Sequence, residues 1–500
     1  MNRLFWLFLV LLLATAYHRT QHFDEAWCAE QAYWLVQDGH VHSEFFRGMD
    51  GSEQQLFVFH KLFVALGALV QGWLGFSPPI GKAIGAFWTL VGGLAIWWHL
   101  RWLGLRDKWI SLALLLYVAN GMLIEYTFVY RPESMYAALG FLSFSFLNRG
   151  RLLVAALLAG LSVLTHLNGL CFVLAGLGWL LWNNHRPANS PANTPQSATA
   201  TPWPTVFGFG FVAALVSSFY LADALFANQL AGLWDQFSNI STISRVSTIS
   251  DKLLISSKLH ELLFHSEEET SLSALVIGVV GLTYWPGQYT LPKQTIVTSE
   301  SAKTGRYLLL LLLAFALITK SNTDYYYLIF LPFMCVWVTQ CVASWSTAKT
   351  APVMVRWRSY GLGLLLGVYL LAGAYKAVVT IQSNMAQPNI VQKNAQLAAY
   401  IQQPGARVIA PLDFFYNQHE HYRIHGLTYY HLLNQKSYGG RLTVGQFFGL
   451  AEADGAVAVI SDYGRDFSYC IPKETPARVG RYERVYQDDL NAVYLLRRKK

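Results

Sequence analysis

Long apolar runs separated by short polar stretches dominate the first 380 residues. They lie at 4–17 and at approximately 80–100, 109–130, 134–147, 152–164, 169–182, 204–224, 271–285, 305–319, 325–345 and 359–380. A spanning helix needs about 20 mostly apolar residues, because the hydrocarbon core is about 30 Å thick. The pattern predicts an α-helical polytopic membrane protein with about 11 transmembrane helices. The run Leu4 to Tyr17 lacks a small-residue cleavage site before the polar segment that follows. It reads as a retained helix.

After residue 380 the pattern changes. Val408-Ile409-Ala410, Ala456 to Ile460 and Ala492 to Leu496 are short apolar runs of the kind that form buried strands. Residues 381–500 therefore predict a small C-terminal α/β soluble domain. Residues 1–380 form the membrane domain. Within it, 184–203 is rich in Pro, Ala, Ser and Thr and reads as a flexible cytoplasmic linker. Residues 18–78 form the first outer loop with its juxtamembrane helices.

Composition agrees with this organisation. The 500 residues are 54% hydrophobic and only 13% charged. Soluble domains carry about 25% charged residues, so a soluble enzyme is excluded. The net charge of +8 comes from basic residues scattered between apolar runs, which points to topology and not to nucleic acid. The five cysteines show no metal-like spacing, although Cys28 and Cys470 fall on the same side and a disulfide between them is conceivable.

Basic clusters sort by side. With the N-terminus in the cytoplasm, Arg101, Arg106, Lys108, Arg149, Arg151, Lys303, Arg306, Arg356 and Arg358 fall inside. Residues 55–75 are apolar enough to span, but a span there would invert every later loop. That segment is expected to be interfacial, with Lys61 near its start.

The outer side holds the candidate chemistry. Loop 18–54 contains Asp24, Glu25, Glu30, Asp38, Glu44, Asp50 and Glu53 against only Arg19 and Arg47. Asp24-Glu25 opens a mostly apolar helix closed by Asp38-Gly39. A carboxylate desolvated there would make a better base, although capping that helix is an equally good use for it. Arg131-Pro132-Glu133 stands at the outer end of a span, where a plain helix start with Pro132 at N1 is the simpler reading. Thr165-His166-Leu167-Asn168-Gly169 puts a histidine and an asparagine at membrane depth. Lys320 precedes Tyr325, Tyr326 and Tyr327. Outer cations such as Lys320, Arg131, Arg47 and Lys61 run against the charge rule and suggest an anion to bind, such as a lipid phosphate. His419, His421, His425 and His431 around Glu420 could hold a metal but read better as surface histidines.

At these residues the chain resembles the GT-C superfamily of polytopic glycosyltransferases, in particular its protein O-mannosyltransferase and aminoarabinose-transferase-like group. The resemblance covers roughly residues 1–380. It rests on Phe23-Asp24-Glu25 with Ala32, Leu35 and Gly39, on Arg131-Pro132-Glu133 where the family often has Arg-Pro-Asp, on the Thr165 to Gly169 turn, and on Lys320 followed by the tyrosines and Leu331-Pro332. A Lys-Pro-Pro-Leu-like element of the family is absent, since Glu53 to Leu56 stands there instead.

The resemblance implies inverting transfer of a sugar from a polyprenyl-phosphate-linked donor to a glycan, lipid or protein acceptor. The setting would be the periplasmic face of a bacterial inner membrane, with the N-terminus cytoplasmic and the C-terminal domain periplasmic. Asp24 would be the base, with Glu25 or Glu133 orienting it. Lys320, Arg131, Arg47, His166, Lys61 and Tyr325 would meet the donor phosphate. No cofactor is implied, and a divalent cation between Asp24 and Glu133 is compatible with the pattern. A lipid-linked sugar transporter or flippase, a polysaccharide ligase and a non-catalytic scaffold are the competing readings. The transporter predicts inverted repeats, which the sequence does not show.

Overall fold

The computed structural model describes residues 2–19, 21–184, 203–240, 255–284, 296–319, 323–345, 352–463 and 467–497. Most of them are helical. Among the described residues, four helices are long and apolar enough to cross a membrane: Pro78–Trp102, Trp203–Phe226, Ser299–Ile318 and Trp357–Ala398. Shorter apolar helices stand beside them, and the chain is a multi-pass membrane protein.

The helices that build the site region are α1 (Asn2–Ala14), α2 (Phe23–Asp38), α3 (Lys61–Leu74), α4 (Pro78–Trp102), α5 (Asp107–Val118), α6 (Gly121–Tyr126), α7 (Glu133–Asn148) and α8 (Leu152–Thr165). The apolar run 109–130 is not one helix. Asn120 accepts a hydrogen bond from the Leu123 amide at 3.2 Å and caps α6, so the chain breaks after α5. The long helix Pro352–Ala386 fits against that break through Gly373, where any side chain would collide with the Ala119 carbonyl.

α7 packs on both α4 and α8 and is buried along nearly its whole length. Its Phe141 and Phe144 meet Tyr307 and Phe333 in a cluster of rings with centroids 4.5–5.4 Å apart. Aromatic packing of this kind fixes a helix in lipid, where apolar burial alone gives no drive to associate.

The C-terminal part holds a six-stranded mixed sheet of β1 (Arg407–Ala410), β2 (Arg423–Gly426), β3 (Ala458–Asp462), β4 (Arg478–Val479), β5 (Tyr482–Gln487) and β6 (Asn491–Leu496). The order is β2-β1-β3-β6-β5-β4, with β2, β1 and β3 parallel and the rest antiparallel. The sheet does not stand apart from the first outer loop. Ala26 and Ala29 of α2, Phe45, and Phe414 and Phe415 after β1 share one apolar core. The Gly426 amide bonds the Phe45 carbonyl at 3.0 Å, and Gln21 donates to the Tyr416 hydroxyl at 3.0 Å. α2 is thereby clamped between the membrane helices and the sheet.

All five cysteines are free. Cys28 is buried within α2 and Cys470 is exposed, so the disulfide conceivable from the sequence does not form.

Candidate active site

α2 begins with a capping box. The His22 ring accepts from the Asp24 amide at 3.3 Å, and the Glu25 carboxylate accepts from the His22 amide at 2.7 Å. These bonds satisfy amides that the first helical turn leaves without partners. Glu25 does more than cap. Its second oxygen accepts from the Tyr130 amide at 2.8 Å, which fastens the start of α2 to the segment before α7. Glu25 is fully buried, and that burial pushes its pKa up against the pull of Lys82 and of the two amide bonds.

The segment so fastened carries Arg131. Its guanidinium makes a two-pronged pair with Glu133, Nε to Oε2 at 3.1 Å and Nη2 to Oε1 at 2.9 Å. Its remaining prong, Nη1, donates to Asp24 Oδ2. The flat face of the guanidinium lies 3.8 Å from the Tyr325 ring centroid, a cation–π contact. Burial opposes the charge on Arg131, but the Glu133 carboxylate holds its pKa above the usual arginine value. Pro132 occupies the cap position of α7 and Glu133 the first turn, one residue later than the expected Pro at N1.

Asp24, Arg131, Glu133 and Tyr325 are therefore one group. The cation between the two carboxylates is the Arg131 guanidinium. His166 stands behind it in a stack of rings. Its imidazole lies between His60, at 4.7 Å, and Tyr136, at 5.0 Å, with Tyr326 edge-on at 5.6 Å.

Two expected residues lie elsewhere. Arg47 pairs with Glu44 through two bonds of 2.8 Å. Lys61 pairs with Asp223 and sits over the Phe59 and Tyr220 rings. Of the expected site residues within the described part, only Tyr325 lines the cavity described next; Asp24 and Arg131 adjoin it through Phe23 and Tyr325, whereas Arg47 and Lys61 do not belong to that group. Lys320 lies outside the described residues.

A cavity of about 1280 Å³ opens where the membrane helices meet the sheet. His22, Phe23 and Tyr325 form one wall, and Arg19 and Lys82 a second. Lys393, Asp462 and Asn491 form the wall facing them. Asp462 closes β3 and Asn491 opens β6. The carboxyl end of β3, one of the three parallel strands, thus lines the cavity, and open α/β sheets take ligands at that edge. Lys82 donates to the Arg19 carbonyl, while Arg19 Nη1 is buried with no hydrogen-bond partner.

Arg19, Lys82 and His60 are not among the candidate site residues that the sequence singles out. Both cations fall in the part of the chain that the sequence expects to be outer, against the charge rule, the same signal that points to Arg131. Glu30, one of the loop 18–54 carboxylates, has a structural use. It is buried and ties down loop 43–45, accepting from the Ser43 hydroxyl at 2.6 Å and from the Glu44 and Phe45 amides at 2.7 and 3.0 Å. Burial pushes its pKa up to about 8 against these donors.

Among the described residues, no His, Cys, Asp and Glu group is placed to hold a metal. The C-terminal histidines serve separately, with His425 bonded to Asp454 at 2.8 Å and His419 stacked on Phe415.

Comparison with solved structures shows what the chain is similar to. ArnT from Cupriavidus metallidurans bound to undecaprenyl phosphate matches 99% of this chain and 97% of its own, with a TM-score of 0.60 at 11% identity. The apo state of the same protein matches 97% and 96%, with a TM-score of 0.58 at 12% identity. The oligosaccharyltransferase of Archaeoglobus fulgidus, tethered to an acceptor peptide containing the NVT sequon, matches 91% of this chain and 68% of its own. Its TM-score is 0.50 at 11% identity. No protein-family model and no curated protein sequence matches. The chain has the fold of the GT-C glycosyltransferases over nearly its full length.

Proposed function

We propose that the protein is an inverting glycosyltransferase. It moves a sugar from a polyprenyl-phosphate-linked donor to a glycan, lipid or protein acceptor on the periplasmic face of the inner membrane. The observation that carries this reading is the Asp24–Arg131–Glu133 group beside a large cavity, at the junction of membrane helices and sheet, in a chain of this fold.

In this reading Asp24 is the general base. It takes the proton of the acceptor hydroxyl as that oxygen bonds the sugar's anomeric carbon. The bond from that carbon to the phosphate oxygen breaks, and polyprenyl phosphate leaves as the anion. Arg131 positions Asp24, and Glu133 positions Arg131. Glu25 holds the two segments together. The leaving phosphate needs fixed cations in a water-poor site. Arg19 and Lys82 line the cavity and serve that role, together with Lys320. The acceptor approaches from the sheet side, past Lys393, Asp462 and Asn491. About 11 spans, a cytoplasmic N-terminus and a periplasmic unit over 381–500 complete the arrangement.

The test is the full-length protein in proteoliposomes with a radiolabelled polyprenyl-phosphate sugar and membrane glycolipid and glycan acceptors. Donor-dependent product with inverted anomeric configuration is expected. Movement of donor across the bilayer without product would overturn the reading in favour of a transporter. Retained configuration would overturn the single-displacement mechanism.

A further inference from the structure

A second site lies at the opposite end of the membrane bundle. α4 runs from Lys82, on the large cavity, to Trp102, about 30 Å away at 1.5 Å per residue. There α4, the end of α7 and the start of α8 border an open cavity of about 520 Å³ lined by Trp102, Phe146, Arg149, Arg151 and Val154.

The two arginines are arranged, not merely present. Gly150 between them adopts φ +73°, and both the Gly150 and Arg151 amides bond back to the end of α7. Arg149 is held by two indoles. Its guanidinium carbon lies 3.2 Å from the Trp98 ring centroid and 4.5 Å from that of Trp102, and Nη2 donates to the Trp98 carbonyl at 3.4 Å. Its Nε is buried with no hydrogen-bond partner. Arg151 is exposed and stands at the N-cap of α8 without a side-chain bond to its first turn.

No carboxylate among the described residues pairs with either arginine. Glu300 nearby is taken by Lys303 at 2.6 Å and by Asn148 at 2.8 Å, and Asp107 by Arg101 at 2.8 Å. The rim beyond is apolar and exposed, at Trp102, Leu153 and Val154. Uncompensated positive charge, indoles and an exposed apolar flank together define an interfacial anion site open to lipid.

We propose that this cavity binds the phosphodiester headgroup of an anionic phospholipid. The phosphate sits on Arg149 and Arg151, and the acyl chains run along Trp102 and the first turn of α8. The site is separate from the transfer reaction and does not depend on it.

The experiment is native mass spectrometry of the full chain with palmitoyl-oleoyl phosphatidylglycerol against phosphatidylcholine of the same chains. Wild type should retain phosphatidylglycerol preferentially. Arg151→Gln should lower that retention about fivefold, and Arg149→Gln with Arg151→Gln further. Arg101→Gln, at the same end but paired with Asp107, should leave it unchanged. Equal retention of the two lipids, or wild-type retention by Arg151→Gln, would overturn the proposal. Displacement of the lipid by millimolar inorganic phosphate would also overturn it, in favour of a free-anion site. Arg151 is exposed, so its variant decides the matter even where loss of the Arg149 stack unfolds the protein.

Discussion

The guanidinium of Arg131 reaches Asp24 across 107 positions of sequence while keeping both of its other prongs on Glu133. One cation thus aims a carboxylate that stands at the start of a different helix. Asp24 is the outer member of the trio, with its side chain 17% exposed against 2% for Glu133.

That asymmetry separates two variants. Asp24→Asn keeps the shape and leaves Arg131 fully paired with Glu133. Turnover should fall by about 10² to 10⁴, the range for a positioned general base, while thermal stability changes little. A transfer assay in membranes, normalised to folded protein, measures it. Near wild-type turnover would remove Asp24 from the role of base.

Glu133→Ala should show the opposite balance. It removes the two-pronged, fully buried partner and leaves the guanidinium with its single bond to Asp24. Removing one partner of a buried pair costs about 3–5 kcal/mol. A clear drop in melting temperature is expected along with reduced turnover. Glu133→Asp should not restore the wild type, because the shorter arm cannot make both bonds at the present spacing. Unchanged melting in Glu133→Ala would show that Glu133 does not hold Arg131.

Residue type and side of the membrane made Asp24, Arg131, Glu133 and Tyr325 legible, because carboxylates and misplaced cations at helix ends are local signals. Partners distant in sequence were not legible. Lys61 looks like a spare cation until Asp223, 162 positions on, neutralises it. Arg47 had its partner three residues away at Glu44, a spacing that the sequence does display. Lys82 lies about one turn inside α4 and reads as part of a span, yet it lines the cavity. The helices were legible from apolar runs and charge, except where Asn120 caps a new helix within the run 109–130. The pattern shows no sign that α2 shares a core with the sheet, since that contact joins residues nearly 400 positions apart.

The cap on α2 gives a pH dependence. Burial, reinforced by the charge of Arg131, holds the His22 pKa down to about 3, against 6.5 for a free histidine. Between those values the unfolded chain binds a proton that the folded one does not. Stability therefore falls as pH drops below 6.5, by at most about 1.4 kcal/mol per pH unit from this group. Protonation would also remove the ring acceptor used by the Asp24 amide. His22→Asn keeps a capping acceptor without the titration. Its melting temperature should decline less than that of wild type between pH 7 and pH 5. Parallel declines would show that other groups set the acid sensitivity.

Lys82 tests the cavity itself. It belongs to α4, whereas Asp24 and Arg131 belong to other segments, so its removal need not disturb them. If the donor phosphate leaves against Arg19 and Lys82, deleting one fixed cation weakens the transition state more than the ground state, because charge on the phosphate grows as the bond breaks. Lys82→Ala should lower kcat/KM for the polyprenyl-phosphate donor by about 10², with the acceptor KM unchanged. Lys82→Arg, which keeps the charge, should recover most of the loss. Steady-state kinetics with the donor varied at saturating acceptor makes the measurement. A fall in acceptor affinity alone would move Lys82 to the acceptor side of the cavity. No change in either constant would mean that the phosphate does not pass this wall.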